Sequence, residues 1–284
     1  MRHALARAAA ILALASAAAA AQDRDPYSGA PLPPRQHEIP SPITDHFYIR
    51  AIYYAPQVRT NLRVDPSGPP GALGTWVSAE NDLGLPERLH QGRVEFMFRL
   101  RERGKVRVSY FESDRSGSAV LAHDVVFGDQ TFGAGQLTES SFDFRQFDIT
   151  YTYSFVRNSR FEIGSGIGVY FLQVDAIGHV PAQNLRNEVS AASPFPALPL
   201  DLTWRISGRW ALTARAAYLK ATLNGFHGWY ADLHEDLQYR FGPNFAVGFG
   251  HTALRTSLTR SGGSFPGVVD MSTSGPEAFV RFSF

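Results

Sequence analysis

The run Arg93-Val94-Glu95-Phe96-Met97-Phe98-Arg99-Leu100-Arg101 changes character at every step. Val94, Phe96, Phe98 and Leu100 are apolar; Arg93, Glu95, Arg99 and Arg101 are charged, with Met97 between them. Successive side chains of a strand point to opposite faces, so this is a strand with one apolar wall and one charged wall. After Gly104 the pattern resumes, with Val106, Val108 and Tyr110 against Arg107, Ser109 and Phe111.

The same period of two governs the rest of the chain from His46. Phe147, Ile149, Tyr151, Tyr153 and Phe155 oppose Gln146, Asp148, Thr150, Thr152 and Ser154. Phe161, Ile163, Ile167, Val169 and Phe171 oppose Glu162 and three glycines. Leu198 to Ile206, Trp210 to Tyr218, Trp229 to Phe241, Phe245 to Gly250 and Glu277 to Phe284 alternate likewise. Glu235 breaks the rule by falling on the apolar face.

The connections alternate in length. Short ones lie at 101–105, 157–160, 207–209 and 242–244; long ones at 57–89, 115–138, 176–194, 223–227 and 259–274. Short turns at one end and long loops at the other are the habit of transmembrane barrels. Ten strands fit: 46–56, 90–101, 104–115, 141–156, 159–174, 196–206, 208–222, 228–241, 243–258 and 275–284. The expectation is an all-β, transmembrane, antiparallel up-and-down β-barrel of about ten strands, with 8 to 12 open. The alternative is a soluble sandwich or barrel. Aromatics on the apolar face at the short turns (Phe155, Phe161, Trp204, Trp210, Tyr239, Phe241, Phe245) favour the membrane, because they form an interfacial girdle.

Composition agrees. Aromatics reach 13%, charged residues only 19%, and cysteine is absent. No disulfide scaffold, thiolate chemistry or Cys-based zinc site is available. The net charge of +1 offers no basis for nucleic-acid binding. Arg2 and Arg7 precede the apolar stretch Ala8–Ala21, the pattern of a secretory signal. Cleavage after Ala21 removes both arginines and turns +1 into −1. Residues 22–45 hold six prolines and read as an extended periplasmic tail, leaving 46–284 as the barrel.

The chain ends Arg281-Phe282-Ser283-Phe284. This resembles the C-terminal strand of bacterial outer-membrane proteins, and the resemblance implies that Phe282 and Phe284 are read by the barrel assembly machinery. Gly74-Thr-Trp-Val-Ser-Ala-Glu-Asn-Asp-Leu-Gly-Leu85, with Phe127-Gly-Asp-Gln-Thr-Phe132, is similar to segments in a family of small proteobacterial outer-membrane barrels. That family implies a fold, a Gram-negative outer-membrane location and no activity.

A ten-stranded cylinder is roughly 20 Å across, narrow enough for side chains to fill. Its charged face holds Arg93, Glu95, Arg99, Arg107, Asp148, Glu162, Asp201, Arg205, Arg215, Asp236, Arg240 and Arg281, with Arg50, Asp232 and Glu277. Charges of both signs in a narrow interior need partners, so a polar, mostly filled lumen is expected, with a structural or passive solute-binding, porin-like role. Asp232-Leu233-His234 puts an acid and an imidazole on one face, and Glu112-Ser113-Asp114 supplies two acids. Together they resemble the paired motifs of omptin-type proteases, also ten-stranded, although Glu112 stands where that family has Asp. The resemblance implies a hydrolase in which Asp232 orients His234 as general base. His251-Thr252-Ala253 lacks the serine of a lipid A-modifying deacylase site. No metal site or cofactor is indicated. The expected partners are the lipid bilayer, the assembly machinery and an extracellular ligand at loops 57–89 and 115–138, through which an adhesin or receptor role would also act.

Overall fold

The computed structural model describes residues 41–67, 72–181, 185–223, 225–261 and 266–284. The signal sequence expected at 1–21, and most of the proline-rich segment, lie outside them. Fourteen strands form: β1 (Phe47–Tyr54), β2 (Gln57–Val64), β3 (Val77–Ser78), β4 (Gln91–Leu100), β5 (Gly104–Val120), β6 (Val125–Phe127), β7 (Gln130–Phe132), β8 (Leu137–Arg157), β9 (Phe161–Val180), β10 (Leu185–Arg205), β11 (Trp210–Leu223), β12 (Phe226–Arg240), β13 (Phe245–Arg260) and β14 (Gly267–Ser283).

The wall is a closed antiparallel circuit, β1-β4-β5-β8-β9-β10-β11-β12-β13-β14, with β14 returning to β1. β2 continues β1 beyond Ala55-Pro56 in unbroken register against β14, so β1 and β2 are one stave and the barrel has ten. Closure at the last stave is direct: the Phe284 N–H donates to the Phe47 carbonyl (2.8 Å), and the Phe284 carbonyl accepts from the Phe47 N–H (3.0 Å). Passing across the ladders from Phe47, strand by strand, returns to this stave at Arg59. Ten staves with that stagger require a tilt of roughly 40°.

The alternation sets the two faces as expected. Arg93, Glu95, Met97 and Arg99 are buried inside; Val94, Phe98 and Leu100 are exposed outside. At the short-turn rim the outward rings touch in series. Phe98 meets Phe47 at 4.8 Å between centroids, Phe282 meets Phe245 at 5.2 Å, and Tyr239 meets both Phe241 (4.9 Å) and Trp210 (5.0 Å).

The segments read as long loops at 115–138 and 176–194 are largely wall. β5 and β8 pair as far as Val120↔Leu137, and β9 and β10 as far as Val180↔Leu185. Their alternation persists there with the polarity exchanged. On β8, Phe147 and the residues below it are apolar outside and polar inside; above it Arg145, Asp143 and Glu139 face out while Phe144 and Phe142 are buried. The upper lumen is therefore an apolar core, which corrects the expectation of a polar interior throughout. Phe142, Phe144, Tyr170, Leu172 and Phe195 line it, and Val77, Leu85, Val125, Phe127 and Phe132 from the two long loops fill it.

The resemblance segments explain that filling. Glu80 accepts from Thr60 N–H (2.8 Å) and from Arg115 Nη1 (2.6 Å). Asp82 accepts from Ser78 N–H (2.7 Å), and Thr75 Oγ1 accepts from Val126 N–H (2.9 Å). Gly84 and Gly128 take the left-handed conformation, at φ 69° and 61°, that their turns demand. The β6–β7 hairpin stands apart as its own two-stranded sheet, so the first loop extends the wall through β2 and the count stays at ten.

Candidate functional site

Below the apolar core the lumen is crossed by ion pairs between staves far apart in sequence. Arg99 grips Glu162 through both oxygens (2.6 and 3.0 Å), and Ser154 Oγ donates to the same carboxylate at 2.6 Å. Arg107 grips Asp201 in the same two-fold manner at 3.0 Å, with Thr152 Oγ1 donating at 3.0 Å. Glu95 receives Arg215 and the Tyr48 hydroxyl (2.5 Å). Arg50 spans Asp236 (2.8 Å) and Glu277 (2.7 Å) while lying 3.5 Å over the Phe279 ring.

Two further members join the network. Asp45, at the end of the segment read as tail, accepts from Arg240 and Arg281, both at 2.5 Å. Its carbonyl also accepts from Arg99 Nε at 3.0 Å, and the turn Ser41–Asp45 is packed inside the short-turn mouth. Lys105, read as part of a turn, reaches Asp201 (3.4 Å) and Glu162 (3.6 Å). Arg205 departs from the expected network: it bonds the Ser207 carbonyl at the short-turn rim. Asp148 is held by Ser109 and by Gln146 (3.0 Å) rather than by an arginine.

Asp232 and His234 do meet. Asp232 Oδ2 lies 3.0 Å from His234 Nε2, and each residue is 6% exposed. Arg93 Nη1 stands 2.6 Å from the same nitrogen. His234 Nδ1 is 2.7 Å from Thr252 Oγ1, which donates to Glu277 at 2.6 Å. Both ring nitrogens are thus occupied by protein groups. A cavity of about 30 Å³, bounded by Arg93, Asp148, Thr150, Asp201, Arg215 and His234, adjoins the pair; it has room for roughly two waters. Glu112 and Asp114 do not join them. They share the parity of Tyr110 and project from the outer wall, where Glu112 accepts from Tyr110 Oη (2.8 Å) and Arg145 Nε (2.9 Å). The wall itself separates the two expected motifs. Phe282 and Phe284 are exposed on the outer face of the closing stave.

Above the apolar belt, the outer face of β5, β8 and β9 carries a shallow groove of about 460 Å³. Ser116, Ser118, Glu139, Ser141 and His179 line it, with His179 Nδ1 3.4 Å from Glu139. Among the described residues, no cluster of His, Asp and Glu has metal-binding geometry.

No protein-family profile matches the chain, and no curated protein matches it in sequence. Solved structures do. The outer membrane protease OmpT of Escherichia coli aligns with 84% of this chain and 97% of its own length, at a TM-score of 0.52 and 10% identity. Ail of Yersinia pestis aligns at a TM-score of 0.31 and 10% identity, over 82% of this chain and 99% of its own. The Pseudomonas putida toluene transporter TodX gives 0.28 and 8%, over 83% and 89%. At 10% identity the likeness to OmpT is one of fold alone: a ten-stranded barrel of the outer-membrane type.

Proposed function

We propose that this protein is an integral outer-membrane barrel of a Gram-negative bacterium, with a sealed lumen and a passive role carried by its projecting half. One observation carries the reading. Among the described residues, ion pairs cross the lower lumen and an apolar cluster fills the upper. What remains available is the polar wall above the belt, where the shallow groove lined by Ser116, Ser118, Glu139, Ser141 and His179 presents hydroxyl, carboxylate and imidazole groups to the outside. The saturated partners of His234 support a structural task for the Asp232–His234 pair.

Two measurements test this together. Purified protein in planar bilayers is expected to give no conductance steps; reproducible steps would overturn the sealed lumen. Since the chain lacks cysteine, Ser118→Cys on whole cells should react with an impermeant maleimide, and Arg103→Cys at a short turn should not. The reverse labelling would overturn the orientation and the exposed role of the groove.

A further inference from the structure

Glu235 is the residue that the alternation could not place, and the structure leaves it facing out. The outward side of β12 reads Phe241, Tyr239, Leu237, Glu235, Leu233, Ala231, so the carboxylate stands mid-way up the apolar belt. The outward side of β13 reads Phe245, Val247, Phe249, His251, Ala253, and His251 is directly opposite Glu235 in the ladder. An acid and an imidazole are thus neighbours at the depth where other staves show Ile149, Tyr151, Ile167 and Leu200. His251 Nε2 lies 3.0 Å from Ser274 Oγ. Among the described residues, no hydrogen bond or ion pair holds the Glu235 carboxylate.

Ionisable groups at membrane depth are rare and take partners. The outward side chains beside this pair include four alanines, Ala214 and Ala216 on β11, Ala253 on β13 and Ala278 on β14, with Leu233 and Phe249 standing between them. Small residues let two membrane surfaces approach closely.

We propose that this face, β11 to β14, is the contact between two copies of the chain in the membrane. Charge complementarity selects that occupant. Two copies in one bilayer share orientation, so their two-fold axis runs along the membrane normal and preserves height. An axis between β12 and β13 brings each Glu235 to a base at its own level, His251 of the partner subunit, and satisfies both acids at once. A lipid phosphate would meet a like charge and would have to leave the headgroup layer to reach this depth. The inference rests on the belt being lipid-facing, as the proposed function requires.

Single-cysteine chemistry in native membranes tests it. Ala253→Cys should cross-link on oxidation to a species of twice the chain mass, and Val108→Cys on the far wall should not. Adding Glu235→Leu to Ala253→Cys should lower the cross-linked yield at least tenfold, with the heat-modifiable gel shift of a folded barrel retained. Exchanging the pair, Glu235→His with His251→Glu, should restore it. Equal cross-linking from both walls, a yield indifferent to Glu235→Leu, or a folded barrel that never cross-links would overturn the dimer while leaving the barrel reading intact. A chain without the gel shift and absent from the membrane fraction would overturn both.

Discussion

Single residues in the lower lumen act as counter-charges to several strands at once. Glu162 illustrates this, accepting both arms of Arg99 and the Ser154 hydroxyl with Lys105 close by. Glu162→Leu would strand a buried guanidinium, a loss of about 3–5 kcal/mol. The expected outcome is a lower midpoint in urea unfolding from lipid vesicles. Glu112→Ala, which breaks a half-exposed pair on the outer wall, should leave the midpoint unchanged. Parity alone identified most of these lumen residues, because side-chain direction in a strand depends only on position. Asp45 escaped, since it precedes the first strand among prolines. Nothing local distinguishes a carboxylate that turns back into the mouth from one in a solvated tail. The Glu112–Asp114 motif rests on a resemblance, and the same parity that places Tyr110 outside puts both acids outside.

At the scale of elements, the strands are longer than a membrane needs. A tilted transmembrane strand takes about 9–11 residues, whereas β8 and β10 run 21 each and β9 runs 20. Only the outermost parts of these strands fall in the expected loops 115–138 and 176–194, beyond the point near Phe147 where the apolar-out pattern of β8 ends. The ladder nevertheless continues with its polarity reversed: above the bilayer the outer face meets water and the inner face meets the packed loops. The 74–85 and 127–132 segments hold that packing, and Glu80 is their anchor to the wall through Arg115, which is 3% exposed. Glu80→Ala is expected to free the first long loop without opening the barrel. Limited proteolysis of membrane-embedded protein should then cut within 65–90 while the transmembrane strands remain protected. An uncut loop would show that the apolar contacts of Val77 and Leu85 suffice.

For the molecule as a whole, the belt sets the fit to the membrane. On β8 the outward apolar residues extend from Phe155 to Phe147, a height of about 20–25 Å once tilt and girdle rings are counted. This is thinner than the ~30 Å hydrocarbon core of a typical bilayer. The unfolded chain should therefore insert faster and more completely into vesicles of twelve-carbon lipids than of eighteen-carbon lipids, read by the heat-modifiable gel shift. Equal yields would mean that the belt reaches higher than the residue pattern indicates.

The sequence by itself determined the strand period, the two faces and the girdle, because each follows from a periodicity that any short window displays; it left the stave count at about ten, with 8 to 12 open. It also exposed Glu235 as an exception. Only the tertiary structure decided which arginine meets which carboxylate, that an apolar cluster fills the upper lumen, and that Asp232 and His234 are enclosed while Glu112 and Asp114 lie beyond the wall. Those facts depend on barrel closure and stagger, which bring together residues as distant in the chain as Asp45 and Arg281, and no local pattern encodes such a pairing.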